Sequence, residues 1–217
     1  MKFYHDRDKS AEIEQRLIER WDITTRRGER YHVYDVIACL MKAYNRLTGV
    51  PHHHTKKNVG IMVFGIVAGK ILQECYPEDQ REYVIDLMGG DPVGHIDVFE
   101  AFKFPLEGKA SRKRIFRRAD VPPIWVEQLM SYMAMSSSNK GWLIIINVFS
   151  VQISAFCLEM TNDELLSQLI VMSSRVSKIR KAVKEKDPFM LDIIKEECSE
   201  CGFKKNCERY VRIRKTK

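Results

Sequence analysis

The chain has 217 residues, with 36 Lys and Arg against 29 Asp and Glu, a formal charge of +7. At 45% hydrophobic and 30% charged, with only 11 Gly and 7 Pro, it is not a disordered, collagen-like or low-complexity sequence. The first dozen residues lack the apolar core of a signal peptide, and no run approaches the roughly 18 apolar residues of a membrane span. A single large unit in the cytoplasm, with no membrane association, is therefore expected, and the surplus of positive charge points to a polyanionic partner.

In chain order, residues 8–28 read as a helix, with Ile13, Leu17, Ile18 and Trp21 on one face. A second amphipathic stretch covers 36–47 and stops at Thr48-Gly49-Val50-Pro51. The strongly apolar 60–75 reads as a buried helix whose Gly65 and Gly69 permit close approach. The period then changes to that of strands. Runs at 83–87, 93–101 and 102–110, with Gly89-Gly90-Asp91-Pro92 turning between the first two, predict a β-meander. Pro122-Pro123 opens a helix over 124–134, strands follow at 142–148 and 151–158, and a long helix spans 163–186. A short helix and a cysteine-rich basic tail end the chain. The fold class is α/β, a central mixed sheet flanked by helices.

Asp97, in Gly94-His95-Ile96-Asp97, precedes Leu106-Glu107-Gly108-Lys109 by about one hairpin. Antiparallel pairing would bring Asp97 and Glu107 together at one edge of the sheet, with Glu107 and Lys109 on a shared face. Two carboxylates and a backbone carbonyl form an incomplete shell for Mg²⁺ or Mn²⁺, and Lys109 would orient water or neutralise charge. The bland alternative leaves Glu107 and Lys109 as solvated cross-strand residues. Gln128 and Tyr132, one helical turn apart, suit contact with a base, a phosphate or a catalytic group. From Lys109 to Arg118 there are six basic residues and no acid. Arg112, Lys113, Arg114, Arg117 and Arg118 follow the candidate metal strand, where a nucleic-acid backbone would lie.

Cys198-x₂-Cys201-x₅-Cys207 is a local trio that wants a fourth ligand. Cys39 is the best remote partner, and zinc or an iron–sulfur cluster both fit three local cysteines plus one distant one. The run His52-His53-His54 is a rival completion for zinc. Cys75, ending an apolar helix, and Cys157, in an apolar strand, read as core thiols.

Taken in order, Cys39, Gly-His-Ile-Asp97, Pro105-Leu-Glu107-Gly-Lys109, Gln128-x₃-Tyr132 and Cys198-x₂-Cys201-x₅-Cys207 resemble the RecB-like branch of the PD-(D/E)xK nucleases. The closest likeness is to the CRISPR-associated Cas-four exonucleases. The resemblance implies a 4Fe–4S cluster on Cys39, Cys198, Cys201 and Cys207. It implies Mn²⁺ or Mg²⁺ on Asp97, Glu107 and the Gly108 carbonyl, Lys109 as catalytic lysine, and Gln128 and Tyr132 beside the DNA. It implies one restriction-endonuclease-like domain over 1–217, in which 1–80 is helical with Cys39, 81–160 holds the sheet, and 161–217 holds the cysteine trio and basic tail. The implied activity is exonucleolytic on DNA ends or single strands, 5′ to 3′, processing spacer precursors with CRISPR integrase proteins, in a monomer or oligomer. A stand-alone nuclease of recombination or repair is an alternative, as is a cluster-stabilised DNA-binding adaptor. One position departs from the pattern. The histidine that the family places on the helix, as G-x₃-H, reads Gly65-Ile-Val-Ala-Gly69 here; His95 or Glu74 would have to substitute.

Overall fold

The computed structural model describes residues 30–53, 56–87, 90–150 and 152–207. The expected helix over 8–28, His54 and the basic tail from Arg209 lie outside them. Five α-helices and five strands make up the described part: α1 Val33–Ile37, α2 Leu40–Leu47, α3 Lys56–Gln73, β1 Arg81–Asp86, β2 Val93–Glu100, β3 Phe104–Ser111, α4 Pro123–Met135, β4 Lys140–Asn147, β5 Ile153–Glu159 and α5 Asn162–Glu185. Among these residues no helix is long and apolar enough to cross a membrane.

The sheet runs in sequence order, β1-β2-β3-β4-β5. The first three strands are the expected antiparallel meander. Helix α4 then carries the chain across to β4, which lies parallel to β3, and β5 returns antiparallel, making the sheet mixed. Pro123 opens α4 at a first-turn position, where its missing N–H costs nothing. The α5 start is fixed by a capping box between Thr161 and Glu164.

The stretch 36–47, read as one helix, is two. The α1 start is held by His32, whose N–H donates to Asp35 at 2.9 Å, and Arg46 reaches back to the same carboxylate at 2.7 Å. Ala38 is extended and Cys39 caps α2, so the break turns Cys39 away from regular helix. Helices α1, α2 and α5, with Tyr132 of α4, bury one face of the sheet around Ile37, Leu40, Ile96, Met172 and Ile179.

Helix α3 covers the other face, where Leu72 meets Val98 and Leu106. It is not the buried helix its composition suggests. Ala68 and Leu72 face inward, whereas Phe64, Val67 and Ile71 are exposed. The helix lies across β2 and β3 as an outer layer, so only one stripe of an apolar surface finds a partner. The same geometry corrects the reading of two cysteines. Cys157, on the outer face of edge strand β5, and Cys75, just beyond α3, are both exposed rather than core thiols.

Candidate active site

Strands β2 and β3 pair only near their hairpin, Val98 with Leu106, Phe99 with Pro105 and Glu100 with Phe104. Beyond that point their partners differ, and Asp97 and Glu107 stand at the fork. The two carboxylates therefore meet between interior strands, not at a sheet edge. Asp97 Oδ2 accepts the Gly108 N–H at 2.8 Å, so the carboxylate takes the place of a ladder carbonyl. Glycine suits the close approach there: a Cβ on Gly108 would lie 3.2 Å from both Asp97 Oδ2 and Leu72. Across from it, the Cβ position of Gly69 on α3 lies 3.4 Å from Asp97 Oδ1. The helix position at which the resemblance expects histidine is thus spatially beside the carboxylates, and it carries no side chain.

Glu107 is 4% exposed, which contradicts a solvated surface role. Burial pushes its carboxyl up to about 8, with Asp97 adding to the rise and the Lys109 ammonium opposing it. Asp97 is also raised, chiefly by burial, against the pull of the Gly108 amide and Lys109. Lys109 Nζ donates to Glu107 Oε1 at 2.5 Å and to Gln128 Oε1 at 2.8 Å. Gln128 Nε2 donates in turn to the Tyr132 hydroxyl at 2.8 Å. The buried tyrosine fixes which end of the amide faces the ammonium, and the amide oxygen fixes the lysine. The expected residues Asp97, Glu107, Lys109, Gln128 and Tyr132 are brought to one place, with Tyr132 buried.

These groups line a cleft of about 620 Å³, together with His32, Tyr34, His95 and Trp125. His95 is exposed and stacks on His32 with ring centroids 5.3 Å apart. Glu74 does not line the cleft; it pairs with Arg81 at 3.0 Å. Among the described residues no group of three or more His, Cys, Asp or Glu side chains is arranged to hold a metal ion. Glu107 Oε2, however, is buried with no hydrogen-bond partner. An orphaned carboxylate oxygen facing an Asp across a fork is a donor set suited to a hard divalent cation.

A second, smaller cavity of about 20 Å³ is lined by Cys39, Cys198, Cys201 and Cys207, with Lys42 and Lys204 beside them. All four thiols are free. Burial, with the neighbouring thiols, raises Cys198 and Cys201. Glu197 ties the two cysteine-bearing segments together, accepting from Lys42 at 2.5 Å and from the Cys39 N–H at 3.5 Å. His53 N–H donates to the Gly202 carbonyl at 3.0 Å, so the histidine loop touches this segment, but His52 and His53 do not line the thiol cavity.

Arg112, Lys113, Arg114, Arg117 and Arg118 are all exposed just past the end of β3, while Ile115 between them is buried. Arg117 is engaged with Asp120 at 3.0 Å. Sequence reasoning missed Glu197, His32 and Trp125. Trp125 had a signal, since it lies one turn before Gln128 on the same helical face.

No protein-family profile and no curated protein sequence matches the chain. Solved structures do match in fold. The crystal structure of SSO0001 shares 16% identity over 92% of this chain and 96% of that one, with a TM-score of 0.56. The alkaline exonuclease LHK-Exo from Laribacter hongkongensis shares 12% identity over 75% of this chain and 93% of its own, with a TM-score of 0.53. What these proteins share with the chain is the fold, a mixed sheet flanked by helices.

Proposed function

We propose that the chain is a metal-dependent DNA exonuclease that cleaves phosphodiester bonds in the cleft between β2, β3 and α4. The observation that carries this reading is the buried Glu107 carboxylate, with one oxygen bonded to Lys109 and the other unpartnered, beside Asp97 on the floor of an open cleft. A structural carboxylate would have both oxygens satisfied. The shared fold with an alkaline exonuclease supports the same reading. Asp97, Glu107 and the Gly108 carbonyl would hold Mg²⁺ or Mn²⁺, which when bound supplies charge neutralisation and a more acidic water. Lys109 stands where it can offset charge growing on the phosphoryl oxygens, held in place by Gln128 and Tyr132. The five cations beyond β3 supply the path for the DNA backbone.

The finer assignments follow from the resemblance. They are 5′ to 3′ action on single strands or ends, one nuclease domain over the whole chain, and trimming of spacer precursors alongside CRISPR integrase proteins. Four free thiols on one cavity support a metal group joining the two ends of the chain, a 4Fe–4S cluster by that resemblance. The cavity has room for about one water-sized group. A single zinc ion is the alternative occupant, since zinc and iron–sulfur both take three local cysteines and a remote one. Anaerobic purification separates the two, a brown protein supporting the cluster and a colourless zinc-bearing one supporting zinc.

One observation favours a second reading, that of a DNA-binding adaptor with weak or lost cleavage: Gly69 leaves the carboxylates without a helix ligand. Digestion of end-labelled single strands with Mn²⁺, against a chelator control, decides between them. Metal-dependent product supports the nuclease, and DNA binding without product overturns it.

A further inference from the structure

Of the two most exposed aromatic side chains among the described residues, one lies inside the basic run 109–118 and the other in a turn beside the start of that run. Phe149 is 76% exposed and Phe116 is 59% exposed. Strands β3 and β4 run parallel and finish side by side, Ser111 beside Asn147, and the Val148 N–H donates to the Ser111 carbonyl at 2.9 Å. The loop carrying Phe116 and the turn carrying Phe149 therefore leave the sheet from neighbouring points.

Each ring is presented by a buried neighbour. Ile115 is packed in the core with Val121, Leu129 and Leu143, which anchors the loop and leaves Phe116, the next residue, in solvent. Asn147 is 5% exposed, and its side-chain oxygen accepts from the Phe149 N–H, the Ser150 N–H and the Ser150 hydroxyl, each at 3.0 Å. That winds the turn tightly and projects Phe149. Asp120 is the one acid between Lys109 and Val121, and it is taken by Arg117, so the loop around Phe116 is strongly cationic. An apolar protein partner would leave those cations unmatched, and a duplex hides its base faces. Unpaired nucleic acid satisfies both features, phosphates on the cations and bases on the rings.

We propose that Phe116 and Phe149 form a stacking subsite, outside the catalytic cleft, that grips unpaired bases of a DNA strand. The inference rests on the nuclease reading for its setting, because Lys109 on the cleft floor is two residues, roughly 7 Å of strand, from Ser111. A strand held at this subsite would run directly into the cleft.

The test is equilibrium binding of the full chain, in metal-free buffer, to a labelled oligothymidine of about 15 nucleotides and to a blunt duplex of equal length. Phe149→Ala and Phe116→Ala should each weaken single-strand binding by about tenfold, with duplex binding within about twofold and the salt dependence unchanged. Phe149→Tyr keeps a ring and should bind like the parent. The double variant Arg112→Ala, Lys113→Ala should instead flatten the salt dependence for both ligands. Single-strand binding unchanged in the alanine variants overturns the proposal, as does an equal loss for duplex. Mn²⁺-dependent cleavage by the parent, measured separately, distinguishes the two failures. Cleavage without stacking loss removes only this subsite, and stacking loss without any cleavage removes only the nuclease.

Discussion

Replacing Glu107 with glutamine should make the metal-free protein more stable at alkaline pH and leave it little changed in acid. The Glu107 carboxyl is buried and titrates at about 8 in the fold, against roughly 4.3 for an unperturbed glutamate. A carboxyl raised in this way holds its proton longer in the folded state. Its stability contribution is fully present below about pH 4.3 and is lost as pH rises towards 8. Across that window the loss is on the order of 3–5 kcal/mol. At 217 residues, that corresponds to a Tm difference of about 6–20 °C between parent and variant at pH 8–9. The neutral amide of the Glu107→Gln variant does not ionise, so its melting profile should be the flatter of the two. Thermal melts followed by circular dichroism from pH 5 to 9 in metal-free buffer measure this directly. Added Mn²⁺ should raise the Tm of the parent at pH 8 and not that of Glu107→Gln. Parallel pH profiles for the two proteins would refute the reasoning, because they would mean that the Glu107 carboxyl is not held dehydrated in the fold.

The remaining expectations concern the neighbours of this carboxylate and the thiol cavity. Tyr132→Phe removes the hydroxyl that fixes Gln128; it should lower kcat with little change in KM and cost about 1–3 kcal/mol of stability, read from steady-state kinetics and urea melts. Gly69→His places an imidazole beside Asp97 and should tighten Mn²⁺ binding by about tenfold, roughly 1.4 kcal/mol, in calorimetric titration; unchanged affinity would mean that this helix face does not meet the metal. Cys201→Ser should leave the purified protein with less bound iron or zinc and a lower Tm, since the cavity joins the α2 start to the 198–207 segment; equal metal content in parent and variant would remove the thiol cavity as a metal site.

Much of the fold was legible because its signals are local. The strand period across 83–110, the Pro122-Pro123 helix start and the apolar repeat of α5 all predict elements that are present. Two errors share one cause, which is that burial depends on what lies opposite. The apolar sequence of α3 and the setting of Cys157 on β5 both suggest a core, yet each has a face with nothing packed against it among the described residues. The break at Ala38 was hidden because it lies in the extended backbone of one small residue inside an apolar run that reads as continuous helix. At the site, the i,i+2 relation of Glu107 and Lys109 and the i,i+4 relation of Gln128 and Tyr132 picked out residues that the fold brings to one cleft. That β2 and β3 diverge at Asp97 could not be read, because an antiparallel pattern continues through both strands while the pairing stops. Glu197 was invisible for a similar reason: its partners Cys39 and Lys42 lie more than 150 residues away.

The claim that Lys109 and its carboxylates form a phosphodiester-cleaving centre is tested most directly by one comparison. Parent and Lys109→Ala are incubated with 5′-labelled single-stranded DNA and Mn²⁺, and product and bound DNA are measured on the same samples. The account predicts that the variant loses cleavage by about a hundredfold or more while retaining DNA binding. Cleavage by Lys109→Ala at the parent's rate would contradict it.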